Sequence, residues 1–122
     1  MDKKARHTLY AGNVYPGWWD ILDKYVLQIL AIAPDAELYI KEKYGLLRLR
    51  ARSKTVNWAA LREIECEAEI ASSTVCEVCG APGRLRENNG WRETLCDRCN
   101  SVDEDAKRKI IKETEKHWLE KE

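Results

Sequence analysis

The sequence contains no phenylalanine, only one methionine and two histidines, and its charges cancel. With 21 acidic and 21 basic residues, the chain has no overall positive field to attract a polyanion, which argues against a strongly basic nucleic-acid-binding protein. The two histidines, His7 and His117, have no companion at metal-ligand or catalytic spacing. We expect both to be solvent-exposed side chains.

Long apolar runs are also missing. The longest, Tyr25 to Ala33, is interrupted by Gln28 and is far shorter than the about 20 residues that cross a bilayer. Met1 to Tyr10 is polar and lacks the apolar centre of a secretory signal. We therefore expect a cytoplasmic protein with no membrane partner, in which thiols stay reduced. The five cysteines are then better interpreted as metal ligands plus one spare thiol than as disulfides.

Recognisable enzyme motifs are missing as well. The sequence has no glycine-rich phosphate loop, no nucleophile elbow and no paired-histidine metal motif. Its acidic residues fall mostly on predicted helix faces with basic neighbours. We predict a protein that is not an enzyme and has no small-molecule substrate.

The chain length of 122 residues fits one small domain. Its patterns predict an α+β fold in the order helix, β-hairpin, helix, zinc-ribbon hairpin and C-terminal helix. The predicted segments are a flexible N-terminal arm (1–14), a helix-hairpin-helix core (15–73), a zinc ribbon (74–100) and a C-terminal helix (101–122).

These segments follow from the spacing of apolar residues. Apolar side chains recur at helical spacing from Pro16 to Pro34, alternate with polar ones around Tyr44-Gly45, and return to helical spacing from about Asn57. Ser101, followed three residues later by Glu104, predicts a capping box at the start of the last helix.

The strongest motif is a pair of cysteine knuckles. Cys76-x-x-Cys79 and Cys96-x-x-Cys99, separated by sixteen residues, have the spacing of a four-thiolate zinc site. Two residues between the cysteines allow a tight turn that directs both sulfurs at one ion. Four sulfurs fill a tetrahedral site, so we predict one structural Zn²⁺ that takes no part in catalysis. Two pairs of buried or redox-active thiols, or an iron ion, remain as alternatives.

The segment between the knuckles predicts how they meet. Strands over 84–87 and 91–95 are joined by Asn89-Gly90, the dipeptide best suited to a two-residue type I′ turn. The resulting hairpin returns the second knuckle to the first.

Cys66 lies outside this motif and is interpreted as a packed free thiol or as a contact to a partner chain.

Two further groups of residues are candidates for binding a partner. Arg48, Arg50 and Arg52 alternate along a predicted strand and continue to Lys54, which gives either a solvated strand face or a row facing phosphates or an acidic protein. Five tryptophans are many for this length. Most should be core, but adjacent Trp18 and Trp19 cannot point the same way on a helix, so we expect one of them at the surface as an interface anchor.

The run CEVCGAPGRLRENNGWRETLCDRC, with GWWDILD and IKEKYGLLRLR before it, resembles a family of small bacterial and phage zinc-ribbon proteins. The similarity covers about residues 16 to 100. It implies no activity, but it marks ligands and scaffold. The implied metal ligands are Cys76, Cys79, Cys96 and Cys99, and the implied ribbon scaffold is Gly80, Pro82, Gly83, Gly90 and Trp91.

These observations favour a non-catalytic, zinc-stapled protein-binding module. Its expected action is to dock on a host protein machine and inhibit it, as anti-CRISPR and other anti-defence proteins do; the phage or mobile-element origin rests on the resemblance. The alternative is a zinc-ribbon regulator that binds DNA or RNA through the row from Arg48 to Lys54.

Overall fold

The structure, a computed structural model, describes residues 1–121 and confirms the mixed α+β architecture. Within these residues, two antiparallel hairpins, β1-β2 and β3-β4, form separate two-stranded sheets among five α-helices. In chain order the elements are α1 (Lys3–Ala11), a 3₁₀ turn (Pro16–Trp18), α2 (Trp19–Ile32), β1 (Glu37–Lys43), β2 (Leu46–Arg52), α3 (Trp58–Ser72), β3 (Arg84–Asn88), β4 (Trp91–Leu95), α4 (Asp97–Ser101) and α5 (Glu104–Glu120).

Both hairpins have the two-residue turns that the sequence predicts. Tyr44 and Gly45 have φ values of 55° and 81°, and Asn89 and Gly90 have φ values of 53° and 85°. Two successive left-handed residues define the type I′ turn, whose twist matches that of the flanking strands. These turns set the register of both hairpins.

The N-terminal segment is helical, so the prediction of a flexible arm over 1–14 is wrong. Asp2 caps α1 by accepting a 2.8 Å hydrogen bond from the amide of Ala5. Tyr10 is fully buried in the core, and its hydroxyl donates to Asp23 of α2 at 2.8 Å. The sequence conceals this helix because Tyr10 is its only buried residue, which is too few for an apolar stripe.

His7, expected to be solvated, is also part of this packing. Its Nε2 lies 2.7 Å from Glu115 Oε2, and its ring contacts two indoles, with centroids 5.4 Å from Trp19 and 6.2 Å from Trp118. His117, in contrast, is exposed as predicted.

The C-terminal helix, predicted to begin at residue 101, begins at Glu104 and is preceded by a separate short helix. Residues 97–101 form α4 as part of the second cysteine knuckle, and Val102 is extended. Asp103, rather than Ser101, caps α5 by accepting a 2.8 Å hydrogen bond from Ala106. Residue 122, the end of the predicted helix, lies outside the described residues.

The helix α5 connects two apolar clusters. Ile110 and Ile111 pack against the cluster around the cysteine knuckles. About two turns further on, Trp118 is buried in the main core, where its ring lies 5.3 Å from that of Trp19 in an edge-to-face arrangement. The zinc-ribbon segment and the helical core are therefore held by one continuous helix.

The helix α3 lies along the free edge of β2. Ser72 Oγ accepts a 3.0 Å hydrogen bond from the amide of Leu47, and Glu65 Oε2 accepts one of 3.0 Å from the amide of Ala51. Both amides point away from β1, so these side chains satisfy donors that an uncovered edge strand would leave open.

Within residues 1–121 there is no helix of the length and apolar character needed to cross a membrane.

Candidate metal centre

The fold brings the four predicted ligands together. The sulfur atoms of Cys76, Cys79, Cys96 and Cys99 all lie within 4.8 Å of one another, and the Sγ atoms of Cys79 and Cys96 are 3.6 Å apart. Sulfurs bound at about 2.3 Å to a tetrahedral zinc ion are separated by about 3.8 Å. A disulfide would require about 2.05 Å, so these distances fit a shared ion and not a pair of disulfides.

The first knuckle is a tight turn that follows a short irregular segment. The amide of Gly80 donates a 2.9 Å hydrogen bond to the carbonyl of Cys76, and Gly80 has a φ of 82°. A residue with a side chain is strained in this conformation. The glycine therefore closes the turn while Cys76 and Cys79 face the same point.

The second knuckle is built on the start of α4. Cys96 is the N-cap residue, and its sulfur accepts a 3.4 Å hydrogen bond from the amide of Cys99. Burial raises the pKa of the Cys96 thiol, but the amide of Cys99 and the neighbouring thiols outweigh it and lower the pKa to about 7. The Cys96 thiol is therefore partly deprotonated at neutral pH, and the thiolate is the form that binds a metal ion.

The pKa values of two other thiols, Cys76 and Cys99, are raised. Burial is the main cause that raises the pKa of Cys76 and of Cys99, and the charges of the neighbouring cysteines add to it. A bound divalent cation would stabilise the buried thiolates, because it replaces the thiol protons and neutralises part of the thiolate charge. Arg98 lies beside Cys79 and Cys99, and these groups raise the pKa of its guanidinium.

Main-chain hydrogen bonds hold the two knuckles side by side. The amide of Glu77, in the first knuckle, donates to the carbonyl of Thr94 at the end of β4 at 2.9 Å, and the amide of Cys76 donates to Ala81 at 2.8 Å. Arg86 of β3 reaches across to Asp97 of α4 at 2.6 Å. The positions of all four sulfurs follow from this framework.

A buried carboxyl group lies next to the centre. Glu77 is buried, and burial together with the charges of Glu42 and Glu93 raises its pKa to about 8. The carboxyl is therefore largely protonated at neutral pH. An uncharged side chain here avoids placing a further negative charge next to four thiolates.

The donor set fits a structural zinc ion. Within residues 1–121 these four cysteines are the only group of histidine, cysteine or acidic side chains arranged to hold a metal. Four thiolates complete a tetrahedral shell, which leaves no position for water or substrate. An ion bound here would stabilise the fold, and the four clustered cysteines are those that the spacing predicted.

The prediction that one of the two adjacent tryptophans lies at the surface is wrong. Trp18 and Trp19 are both buried. The indole of Trp18 donates a 2.9 Å hydrogen bond to the carbonyl of Val75, next to the metal centre, and that of Trp19 donates to Val14 at 3.2 Å. The fold covers both rings, so neither anchors an interface.

The arginine row faces outwards and is partly neutralised by α3. Arg48 Nε lies 3.2 Å from Glu69, and Arg50 lies 3.9 Å from Glu65. Arg52 is exposed and lies over the ring of Tyr39 at 5.7 Å. Lys54, in the loop after β2, is exposed.

Sequence reasoning missed the aromatic residues that are exposed. Trp58 and Trp91 have 74% and 76% of their surface accessible, and Tyr44 has 62%. Each begins an element or lies in a turn, where periodicity does not assign a side chain to a face.

Cys66 is half-buried on α3 and lies outside the group of four.

Comparison with known proteins gave no similar family model, no similar curated protein and no similar solved structure.

Proposed function

We propose that this chain is a non-catalytic, zinc-stapled protein-binding module that acts in the cytoplasm. Its metal braces the ribbon, and the module acts by docking on a host protein machine and inhibiting it, in the manner of anti-CRISPR and other anti-defence proteins. The phage or mobile-element origin in this proposal is supported only by the resemblance of the ribbon motif.

One observation carries the protein-binding part of the proposal. The turns of the two hairpins form the sides of a groove of about 640 Å³, which we call the hairpin-tip groove. Tyr44 lines it from the first turn and Trp91 from the second. Tryptophan and tyrosine are enriched among the residues that dominate the binding energy of protein interfaces.

The groove is held in shape by contacts within the first hairpin and between the two hairpins. The hydroxyl of Thr94 donates a 2.7 Å hydrogen bond to the carbonyl of Gly45, and Glu42 Oε2 accepts one of 2.7 Å from the amide of the same residue. The side chain of Leu85 packs against this turn. A preformed site loses little conformational entropy on binding, which favours affinity.

The charges of the groove favour a protein partner over a polyanion. Glu42 and Lys43 line one side, and Glu87 and Arg92 line the other with 4.0 Å between their charged atoms. Opposite charges are interspersed around the aromatic pair. This matches the polar rim of a protein interface rather than a phosphate-binding surface.

The test uses the two exposed tryptophans as matched variants. The zinc-loaded chain is used as bait in bacterial lysate, with and without nuclease, and captured proteins are identified by mass spectrometry. We expect the capture of a specific protein to survive nuclease treatment, to be lost with Trp91→Ala and to be retained with Trp58→Ala. Capture that nuclease abolishes, or that Trp91→Ala leaves unchanged, would contradict the proposal.

A specific observation also supports the second candidate, a regulator that binds nucleic acid. Arg48, Arg50 and Arg52 of the predicted row alternate along β2, and Arg50 and Arg52 line a groove that shares no residue with the hairpin-tip groove.

A further inference from the structure

A second exposed surface combines positive charge with aromatic rings. The outward face of the β1-β2 sheet and the beginning of α3 form a shallow groove of about 690 Å³. We call this surface the basic face. Its lining includes Tyr39, Lys41, Arg50, Arg52, Trp58 and Arg62.

Strand register explains why these residues share one face. Tyr39 of β1 lies directly opposite Arg50 of β2, and Lys41 lies opposite Arg48. Their neighbours along the strands point inwards, and Ile40 and Leu49 are buried in the core. Every second residue therefore places polar and basic side chains on the outer surface.

Acidic groups offset only part of this charge. Glu65 is buried and lies 3.9 Å from Arg50 and 3.6 Å from Arg62, and Glu69 pairs with Arg48. Glu37 lies at the end of the sheet opposite Arg52. Within residues 1–121, Lys41 and Arg52 have no carboxylate at ion-pair distance, so both remain available to a ligand. Because the whole chain is neutral, the positive excess here is local.

The aromatic rings are placed beside these cations. Trp58 is the first residue of α3 and has 74% of its surface accessible, and Tyr39 in the sheet has 48%. The guanidinium of Arg52 lies 5.7 Å from the centre of the Tyr39 ring. An exposed indole beside the loop after β2 adds nothing to the core, so packing does not account for its position.

We propose that the basic face binds single-stranded nucleic acid. The phosphates are contacted by four basic side chains, Lys41, Arg50, Arg52 and Arg62. The bases stack on the rings of Trp58 and Tyr39. This surface contains Arg50 and Arg52 of the arginine row, so the inference rests on the second candidate function. It shares no lining residue with the hairpin-tip groove and is therefore independent of the protein-binding proposal.

The aromatic rings favour a single strand over a duplex. Bases in a duplex are stacked on each other and expose only their edges, whereas an unpaired base offers its face to an indole. An acidic protein segment would satisfy the cations but would leave the indole without a planar partner. The combination of both features is typical of single-strand-binding surfaces.

The experiment measures binding of the full zinc-loaded chain to fluorescent oligothymidylate and oligouridylate of about 12 nucleotides. Fluorescence anisotropy is recorded at several salt concentrations, with a duplex of equal length and polyglutamate as competitors. We expect the single strands to bind more tightly than the duplex. The logarithm of affinity should fall against the logarithm of salt concentration with a slope of about −2 to −3, since each phosphate contributes about −0.7.

Three variants localise the binding. Trp58→Ala should weaken single-strand binding by about five- to 150-fold, and Arg52→Glu should weaken it and make the salt slope shallower by about one. Trp91→Ala, equally exposed but in the hairpin-tip groove, should leave it unchanged. Zinc content and melting temperature of each variant verify that it is folded.

Several results would overturn the inference. These are the absence of oligonucleotide binding at about 50 mM salt, a duplex that binds as tightly as the single strands, and affinities that Trp58→Ala and Arg52→Glu leave unchanged. Polyglutamate that displaces the oligonucleotide at equal concentration would instead make the basic face a docking site for an acidic protein.

Discussion

Gly17, in the 3₁₀ turn before α2, lies directly against the carbonyl oxygen of Cys76 in the first metal knuckle. A Cβ atom at Gly17 would lie 2.1 Å from that oxygen, and the Gly17 amide donates a 2.9 Å hydrogen bond to the carbonyl of Glu77. Only a residue without a side chain permits this approach. The metal centre is therefore attached to the helical core through main-chain contact.

This contact predicts the effect of a methyl group. Gly17→Ala should lower the free energy of unfolding by about 1–3 kcal/mol or more, because main-chain atoms of the knuckle must move to admit the methyl group. It should also weaken zinc binding. Chemical denaturation and a competition titration with a chromophoric chelator measure both quantities.

Gly12→Ala is the matched control for that substitution. Gly12 has a φ of −76°, and its nearest neighbour to an added Cβ is 3.5 Å away. This variant should be unchanged or more stable by about 0.4–1 kcal/mol. Equal stability of the two variants would contradict the proposed contact.

Zinc content tests the metal assignment itself. Native mass spectrometry should detect one zinc ion per chain, and chelation should unfold at least the ribbon, because a structural zinc ion contributes about 10–16 kcal/mol of apparent binding free energy. Circular dichroism and hydrogen exchange follow the loss of structure. A chain that keeps the ribbon folded after complete metal removal would refute the assignment.

Substitution of single cysteines tests which thiols are ligands. Cys96→Ser and Cys79→Ser should each cost several kcal/mol of stability and lower zinc affinity, since each removes a thiolate from the shell. Cys66→Ser is the control and should have little effect, because this thiol lies outside the group of four. Equal zinc affinity in Cys66→Ser and Cys96→Ser would show that the ligand set is wrong.

The pKa shifts predict how zinc affinity depends on pH. Burial raises the pKa of Cys76 and Cys99, so both hold protons at neutral pH in the metal-free protein. Zinc must displace these protons, and its apparent affinity should therefore fall as the pH falls. Two displaced protons correspond to about 100-fold per pH unit, and the slope should be steeper towards pH 6, where the Cys96 thiol, with its pKa of about 7, is protonated as well. Competition titrations between pH 6 and pH 8 measure this slope, and an affinity independent of pH would exclude thiol protonation.

The N-terminal helix can be tested through its one buried side chain. Tyr10→Ala should destabilise the protein by about 3–5 kcal/mol, as is typical when a large aromatic side chain is removed from a core. Lys4→Ala, on the exposed side of α1, should change stability by less than about 0.5 kcal/mol. Thermal denaturation measures both. A Tyr10→Ala protein as stable as the Lys4→Ala protein would indicate that α1 does not pack on the core.

The features predicted correctly from the sequence depend on local spacing. The distance from Cys76 to Cys79 and from Cys96 to Cys99 specifies a knuckle, Asn89-Gly90 specifies a turn, and alternation on both sides of Tyr44 specifies two paired strands. In each case the chain geometry over a few residues allows few alternatives. The clustering of the four cysteines and both hairpins could therefore be predicted from the sequence alone.

Features that depend on contact between distant segments could not be predicted from local spacing in the sequence. Trp18 and Trp19 are buried by segments far away in the chain, since the indole of Trp18 donates to Val75 and the ring of Trp19 lies 5.3 Å from that of Trp118. Tyr10 is buried because α1 packs on α2, and Trp58 joins the arginine row because α3 lies along β2. Periodicity describes which residues share a face of an element, but only packing between elements determines whether that face is covered or left to bind a partner.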